Sequence, residues 1–149
     1  MRMAKWALIG LVALALGCSS KPSGTSKPGT AGKGVVWVTK FEDAMKQAKQ
    51  EGKPMMMDMM ASWCSACKRL DADVWSRSDV AELSQRFVTV QVDGDERGDL
   101  KTKYAVSGYP TTLFLTPDGE EIARVRGAVP YEDMLKAMQG ALDKAKPAK

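Results

Sequence analysis

The chain has 149 residues, enough for one domain and a tail, and its 44% hydrophobic and 27% charged residues are typical of a globular protein. The formal net charge of +4 is too weak to indicate nucleic-acid binding, and no basic run supports such a partner. The sequence contains no histidine, which excludes Ser-His and Cys-His dyads and most zinc or copper sites.

The start of the chain is typical of an export signal. Arg2 and Lys5 precede an apolar run at residues 6–17 that is too short to span a bilayer as a stable helix. The run ends in LALGC, which resembles the lipobox of bacterial lipoproteins, in which the cysteine is acylated and becomes the new N-terminus. The alternative is an ordinary secretory signal with an incidental cysteine, but an unpaired cysteine is a liability in an exported protein. We therefore expect a signal peptide over residues 1–17 and lipidation of Cys18.

The segment that follows is expected to be a tether. Residues 18–34 are rich in Ser, Lys, Pro, Gly and Thr, a composition that does not fold on its own. Ser20 is the second residue after the cysteine and is not aspartate, which by resemblance to proteobacterial lipoproteins favours delivery to the outer membrane. We expect a protein of the bacterial cell envelope, anchored by lipid and facing the periplasm.

The first half of the folded part, residues 35–145, predicts alternating strands and helices. An apolar strand at residues 35–38 is followed by a capping box, Thr39 to Glu42, and by apolar residues at helical spacing until Gly52 and Pro54. A continuous apolar run at residues 55–61 predicts a central strand that is buried on both faces. Helices are predicted from Cys64 to about residue 72 and from Ser78 onward.

The second half predicts a strand, a helix, a hairpin and a last helix. The strand covers residues 87–92, the short helix residues 100–106, and the hairpin strands residues 111–116 and 121–126. Pro130 opens an amphipathic helix whose apolar face holds Met134, Leu135, Met138, Ala141 and Leu142, and residues 146–149 form a polar tail. The order β-α-β-α-β-α-β-β-α indicates an α/β sandwich with a mixed sheet.

Two cysteines, Cys64 and Cys67, lie where the buried strand turns into a helix. Two intervening residues allow the sulfurs to meet across the first helical turn, and the helix N-terminus favours the thiolate of Cys64. Cys67 is expected to be more buried and to resolve a mixed disulfide. A purely structural disulfide is the first alternative, but closing so short a loop constrains little of the unfolded chain. A zinc site is the second, and it lacks histidine and a second CxxC pair.

Asp58 is the one polar residue in the apolar run that precedes the cysteines. A buried carboxyl has a raised pKa, so Asp58 could accept the proton of Cys67 directly or through water. The alternative is an aspartate that faces solvent at the edge of its strand. Pro110, at the start of the next strand, could place the Tyr109 backbone beside the sulfurs if its peptide bond were cis, and the sequence leaves the isomer open.

These residues carry a resemblance to the thioredoxin superfamily. WCSACK, with Asp58 upstream and the GYPT and RGA motifs downstream, resembles that superfamily. The part from residue 41 to residue 138 looks most like the group that contains the C-terminal domain of the thiol:disulfide interchange protein DsbD. The resemblance implies a thioredoxin-like three-layer sandwich in which a mixed central β-sheet is flanked by helices.

The resemblance also implies roles for individual residues. It makes Cys64 the nucleophile, Cys67 the resolving thiol, Asp58 the buried acid/base and Pro110 a cis-proline, with Trp63 and Tyr109 contacting the substrate. Two departures concern the tuning of the site: Ser65-Ala66 stands where thioredoxin has Gly-Pro, and residues 87–92 contain no counterpart of the thioredoxin lysine near the buried aspartate.

The predicted function is a thiol-disulfide oxidoreductase that reduces disulfides in exported proteins. Ser65 and Ala66 add no charge that would stabilise the thiolate, and Lys68 and Arg69 could help it only modestly. We expect protein disulfide or dithiol substrates, a membrane protein as electron donor, and no cofactor or metal. A strong oxidant or isomerase, and a scaffold with a vestigial CxxC, are the alternatives within this fold.

The methionine run at residues 55–60 also raises the possibility of a copper metallochaperone, because thioethers bind Cu(I). The simpler interpretation is packing, since methionine fills irregular space in a buried strand. Trp63 and Trp75 are expected to be exposed motif aromatics that serve packing or a partner surface and not a cofactor.

Overall fold

The computed structural model describes residues 34–145. The predicted signal peptide, Cys18, most of the predicted tether and the polar tail therefore lie outside the described residues. Within the described part, no helix combines the length and the apolar character needed to cross a bilayer.

The described residues form strands and helices that alternate along most of the chain. In order, they are α1 (Phe41–Glu51), β1 (Met55–Met60), α2 (Ser65–Leu70), a π-helical turn (Asp71–Trp75), α3 (Ser78–Ser84), β2 (Val88–Asp93), α4 (Gly98–Lys103), β3 (Thr111–Leu115), β4 (Glu121–Arg126) and α5 (Tyr131–Ala145).

The strands form one mixed sheet in the order β2-β1-β3-β4. β1 pairs parallel with β2 and antiparallel with β3, and β3 pairs antiparallel with β4. Helices cover both faces, because the buried residues of α1 and α4 belong to one apolar cluster and those of the π turn, α3 and α5 to another. This is the predicted three-layer α/β sandwich, with β1 in its interior.

β1 supplies alternate side chains to the two faces of the sheet. Met55, Met57 and Met59 pack in the cluster that includes Phe41, whereas Met56 packs in the cluster that includes Phe114. All four methionines are fully buried. The prediction of a central strand buried on both faces is confirmed, and these side chains fill the core.

The predicted start of α1 is wrong in detail. The helix begins at Phe41 with Lys40 in the N-cap position, and no side chain caps it. The capping box fails because the helix begins one residue too late for it: with Lys40 as N-cap, Glu42 is the second helical residue and not the third. Glu42 instead accepts hydrogen bonds from the Arg97 guanidinium at 2.7 and 3.3 Å. The predicted end is confirmed, since Gly52 closes the helix in the left-handed conformation with φ of 63°.

The predicted strand at residues 35–38 is also wrong. Only Val38 pairs with the sheet, in an isolated parallel bridge to Val90 on β2. Before Val38 the backbone bonds to other groups than a neighbouring strand: the Val35 N–H donates to the Trp75 carbonyl oxygen at 2.7 Å, and the Val36 carbonyl oxygen accepts from the Thr89 hydroxyl. The segment therefore covers the π turn instead of extending the sheet.

The helix that follows the cysteines runs further than predicted. After α2 the chain continues through the π turn, which is closed by a hydrogen bond from the Ser76 N–H to the Asp71 carbonyl oxygen at 3.0 Å. This turn carries Trp75 into the core, where it is 3% exposed, so the expectation of an exposed Trp75 is wrong. The start of α3 at Ser78 agrees with the prediction.

The remaining elements agree with the predictions to within a few residues. The short helix lies at Gly98–Lys103, earlier than predicted, and Ala105 with φ of 48° breaks the chain away from it. The hairpin and the last helix are confirmed, with Met134 and Met138 fully buried on the inner face of α5.

Candidate active site

Three segments meet at one edge of the sheet because of how the strands run. β1 and β2 are parallel, so their carboxyl ends share an edge, and the antiparallel β3 begins there. The segments are tied together by hydrogen bonds: the Gly94 N–H donates to the Met60 carbonyl oxygen at 2.9 Å, and the Ser62 N–H donates to Asp93 Oδ2 at 3.2 Å. The CxxC pair, the loop after β2 and Pro110 therefore lie together.

Cys64 and Cys67 form a disulfide, with Cα atoms 5.3 Å apart. Cys64 is the N-cap residue of α2, and its Sγ accepts a hydrogen bond from the Cys67 N–H at 3.1 Å. This N–H belongs to the first turn of α2 and has no partner within the helix, so it can stabilise the negative charge that Cys64 Sγ carries after reduction. Cys64 is 5% exposed and Cys67 2%, and the exposed Lys68 and Arg69 follow them.

Asp58 is buried in the middle of β1, with 1% of its surface exposed. Burial raises the pKa of Asp58 to about 7, and the negative charge of Asp71 raises it further. The hydrogen bond from Gln91 and the polar groups of Trp75 and Thr112 act in the opposite sense and lower it. The alternative of a solvent-facing aspartate is wrong. A carboxyl with this pKa exchanges its proton at neutral pH, as an acid/base group must.

Gln91 is the neighbour of Asp58 that sequence reasoning missed. The two residues are register partners on β2 and β1, and Gln91 Nε2 donates to Asp58 Oδ2 at 3.2 Å. The same amide reaches Asp71 Oδ1 at 3.5 Å, and burial raises the pKa of Asp71. The available signal was a polar amide in a strand rich in valine, but only the register shows that Gln91 pairs with Asp58.

The side chains of Trp63 and Tyr109 form an aromatic pair beside the disulfide. Trp63 is 69% exposed, and its ring packs edge-on against the Tyr109 ring with centroids 6.0 Å apart. Both rings donate to one carboxylate: Trp63 Nε1 to Asp95 Oδ2 at 2.8 Å and the Tyr109 hydroxyl to Asp95 Oδ1 at 2.9 Å. These two hydrogen bonds, that of Trp63 foremost, lower the pKa of Asp95.

Lys101 and Gly94 hold this aromatic pair in place, and no motif in the sequence pointed to either residue. The Lys101 ammonium lies 4.8 Å from the centre of the Tyr109 ring and 3.8 Å from Asp95 Oδ1. Gly94 supplies the space, because a Cβ there would lie 2.5 Å from the Tyr109 hydroxyl oxygen. Tyr109 is therefore held against the loop that follows β2.

Pro110 is buried next to Tyr109 of the aromatic pair, and the peptide bond between Tyr109 and Pro110 is cis. Its carbonyl oxygen accepts a hydrogen bond from the Gly127 N–H at 2.8 Å. The RGA motif thus lies next to the start of β3. The structure brings together the disulfide, Trp63, Tyr109 and Pro110. Asp58 lies on β1 among Gln91, Asp71 and Trp75, and Cys18 lies outside the described part.

Metal binding gains no support from the described residues. Across residues 34–145, no group of three or more His, Cys, Asp or Glu side chains is arranged to hold a metal ion. The methionines that suggested copper are buried on opposite faces of β1 and do not converge on one point.

The comparisons with known proteins agree with this fold and site. The thioredoxin-like domain family matches residues 41–142, so the chain belongs to the thioredoxin-like family. Fold, family and the Cys64–Cys67 disulfide together define a thiol-disulfide oxidoreductase.

The chain resembles two DsbD proteins in sequence and a thioredoxin in structure. The thiol:disulfide interchange protein DsbD of Colwellia psychrerythraea is 31% identical over 99 residues, covering 63% of this chain and 16% of that protein. DsbD of Yersinia pestis is 35% identical over 98 residues, covering 62% and 16%. A thioredoxin from Thermus thermophilus superposes with a TM-score of 0.68 at 28% identity, covering 75% of this chain and 90% of its own. The chain spans less than a fifth of the length of these DsbD relatives.

Proposed function

We propose that the protein reduces disulfides in exported proteins of the bacterial envelope, using Cys64 and Cys67 as its dithiol. The observation that carries this proposal is the CxxC disulfide at the start of α2, where the Cys67 N–H points at Cys64 Sγ. The buried Asp58 on the preceding strand β1 supports it. The DsbD relatives, which are named for thiol:disulfide interchange, support the same chemistry.

In the first step the Cys64 thiolate attacks one sulfur of a substrate disulfide. A bond forms between Cys64 Sγ and that sulfur, and the other substrate sulfur leaves as a thiolate. The Cys67 N–H that points at Cys64 Sγ supports the attacking thiolate. Cys64 is therefore the nucleophile.

In the second step Cys67 resolves the mixed disulfide. The ionised Asp58 takes the proton of the Cys67 thiol, directly or through water, and Cys67 Sγ attacks Cys64 Sγ. The Cys64–Cys67 disulfide forms and the substrate leaves as a dithiol, having gained two electrons. Because the pKa of Asp58 is about 7, a useful fraction of Asp58 is ionised at neutral pH.

The substrate chain lies across the aromatic pair and the segment before Pro110. Trp63 offers an exposed apolar surface beside Cys64, and Tyr109 is fixed by Asp95 and Lys101. An extended peptide can pair with the backbone of Tyr109 while its side chains contact the Trp63 ring.

The direction of electron flow follows from the charge around Cys64. Strong oxidants stabilise the reduced thiolate, and here Ser65 and Ala66 bring no charge to it. A donor of electrons is then required, and we propose a membrane protein for that role. We also propose that Cys18 carries the lipid that anchors this chain, and that the anchor lies in the outer membrane.

The function is tested with three cysteine variants of the full chain in a disulfide-reduction assay on insulin. Cys64→Ser should abolish reduction, because it removes the attacking sulfur. Cys67→Ser should also stop turnover but accumulate a mixed disulfide between Cys64 and the substrate, detectable by mass spectrometry.

Cys18→Ser is the matched control, since it removes a cysteine outside the CxxC pair. It should keep full reductase activity and lose fatty acylation and membrane association. Activity in Cys64→Ser equal to that of the unsubstituted protein would contradict the proposed function.

A further inference from the structure

Two buried polar groups near the active site lack partners. Among the side chains of residues 34–145, Asp58 Oδ1 and the Trp75 indole nitrogen are the buried polar atoms that make no hydrogen bond. One is an acceptor and the other a donor. Leaving either unpaired in the interior is unfavourable, so such atoms call for a physical reason.

The π turn explains how both groups reach the same place. It begins at Asp71, which shares the Gln91 amide with Asp58, and it ends four residues later at Trp75. Residues four apart lie on one face of such a turn, so Trp75 faces the sheet on the same side as Asp71. A π turn is rare and recurs at functional sites.

The Trp75 indole ring is held in place by its neighbours. Its edge packs against the Trp37 ring, with centroids 5.4 Å apart and planes 82° apart. The Trp75 carbonyl oxygen accepts the Val35 N–H at 2.7 Å, which ties the turn to the N-terminal segment. A group held in this way can present its N–H without a further loss of side-chain freedom.

The two oxygens of Asp58 therefore have different surroundings. Gln91 donates to Oδ2 in the structure, whereas Oδ1 has no fixed donor. We propose that Trp75 is a positioning residue for Asp58, and that its indole N–H donates to Oδ1 when that oxygen has lost its proton. This rests on the proposed function, in which Asp58 gains and loses a proton in each turnover.

Electrostatics around the carboxyl agree with this assignment. Trp75, Gln91 and Thr112, on the π turn, β2 and β3, all favour the ionised form of Asp58, and each is neutral. Asp71 is the charged neighbour and acts in the opposite sense, raising the pKa of Asp58. The site thus stabilises its carboxylate with neutral donors and without a cation.

Trp75→Phe tests the proposal, since it removes the N–H and keeps an aromatic ring. The pKa of Asp58, followed by NMR of its side-chain carboxyl carbon in the full chain, should rise by about half to one unit, the effect of losing one hydrogen bond. Trp37→Phe, in the ring that packs on Trp75, is the matched control and should leave the pKa of Asp58 unchanged. Benzothienylalanine at position 75, which has sulfur in place of the N–H and nearly the same shape, repeats the test if the phenylalanine variant folds poorly.

A second readout separates this proposal from the proposed function. The pH midpoint of the resolving step should rise with the pKa of Asp58 in Trp75→Phe, and the additional effect should vanish in an Asp58→Asn background. An unchanged or lowered pKa of Asp58 in both position-75 variants would overturn the assignment of Trp75. A raised pKa with an unchanged rate profile would support that assignment and overturn the proton-accepting role of Asp58.

Discussion

Asp58 shows how a single residue can be set for proton transfer by its position in a strand. The residue sits at the centre of β1 between apolar neighbours, and the sheet supplies Gln91 from β2 and Thr112 from β3 as its polar contacts. Desolvation outweighs these donors, so the pKa of Asp58 is raised to about 7. The same burial that makes the group useful makes its charged form unfavourable to the fold.

Asp58→Asn should therefore stabilise the protein at alkaline pH. A carboxyl whose folded pKa is raised stabilises the fold fully below its unfolded pKa of about 4, and that contribution is lost as the pH rises through about 7. The unsubstituted protein should lose up to about 4 kcal/mol of unfolding free energy across this window, and Asp58→Asn should remove that loss.

Urea unfolding of the oxidised protein at about pH 4.5 and about pH 8, near the two ends of this window, measures the effect. Asp73→Asn, at an exposed position on the π turn, is the control and should change stability little at either pH. Equal stability differences for Asp58→Asn at the two pH values would contradict the raised pKa of Asp58.

At the level of elements, β1 connects the core to the site. Its methionines fill both faces of the sheet, and the chain that leaves its carboxyl end becomes the CxxC turn. α2 then adds its N-terminal N–H groups, and the π turn brings Asp71 and Trp75 back against β1 and β2. β1 thus carries the buried Asp58 carboxyl, and the π turn approaches that carboxyl from one face of the sheet.

Packing of β1 is tested by truncating one methionine on each face. Met56→Ala and Met57→Ala should each cost about 2–5 kcal/mol of unfolding free energy, because both side chains are fully buried. Met45→Ala, at a half-buried position on α1, should cost clearly less. Chemical denaturation measures all three, and a cost below about 1 kcal/mol for Met56→Ala or Met57→Ala would contradict a packing role.

The sequence predicted those features that local patterns determine. The central strand, the helix end at Gly52, the hairpin and the CxxC position all follow from runs of apolar residues, glycines and prolines, and the structure has them. The capping box failed because the helix begins one residue later than the pattern requires, and Glu42 instead binds Arg97, 55 residues away. The strand at residues 35–38 failed because its backbone pairs with the π turn.

The contacts around the site could not be predicted from local sequence patterns. Gln91 faces Asp58 through the register of two strands, and Asp95 binds both Trp63 and Tyr109 across the loop after β2. Such pairings depend on how distant segments meet, which a single sequence does not encode in any short motif. The burial of Trp75 has the same origin, since it follows from the π turn and its packing on the sheet.

At the scale of the whole molecule, the described domain has a single redox site at one edge of its sheet. In the proposed function a substrate and an electron donor both react with Cys64, so we infer that they use this edge in turn and not together. A tether between a lipid anchor and the domain suits such alternation, because it lets one edge turn towards two partners. The direction of flow between those partners then depends on the redox potential of the Cys64–Cys67 pair.

That potential is the measurement that tests the account most directly. The full chain is equilibrated against a glutathione redox series, and the Cys64 and Cys67 thiols are trapped and counted by mass spectrometry. We predict a two-electron transition well below about −200 mV, towards the thioredoxin value of about −270 mV, as expected of a reductase. A transition near about −120 mV would show that the pair acts as an oxidant and would contradict the proposed direction of electron flow.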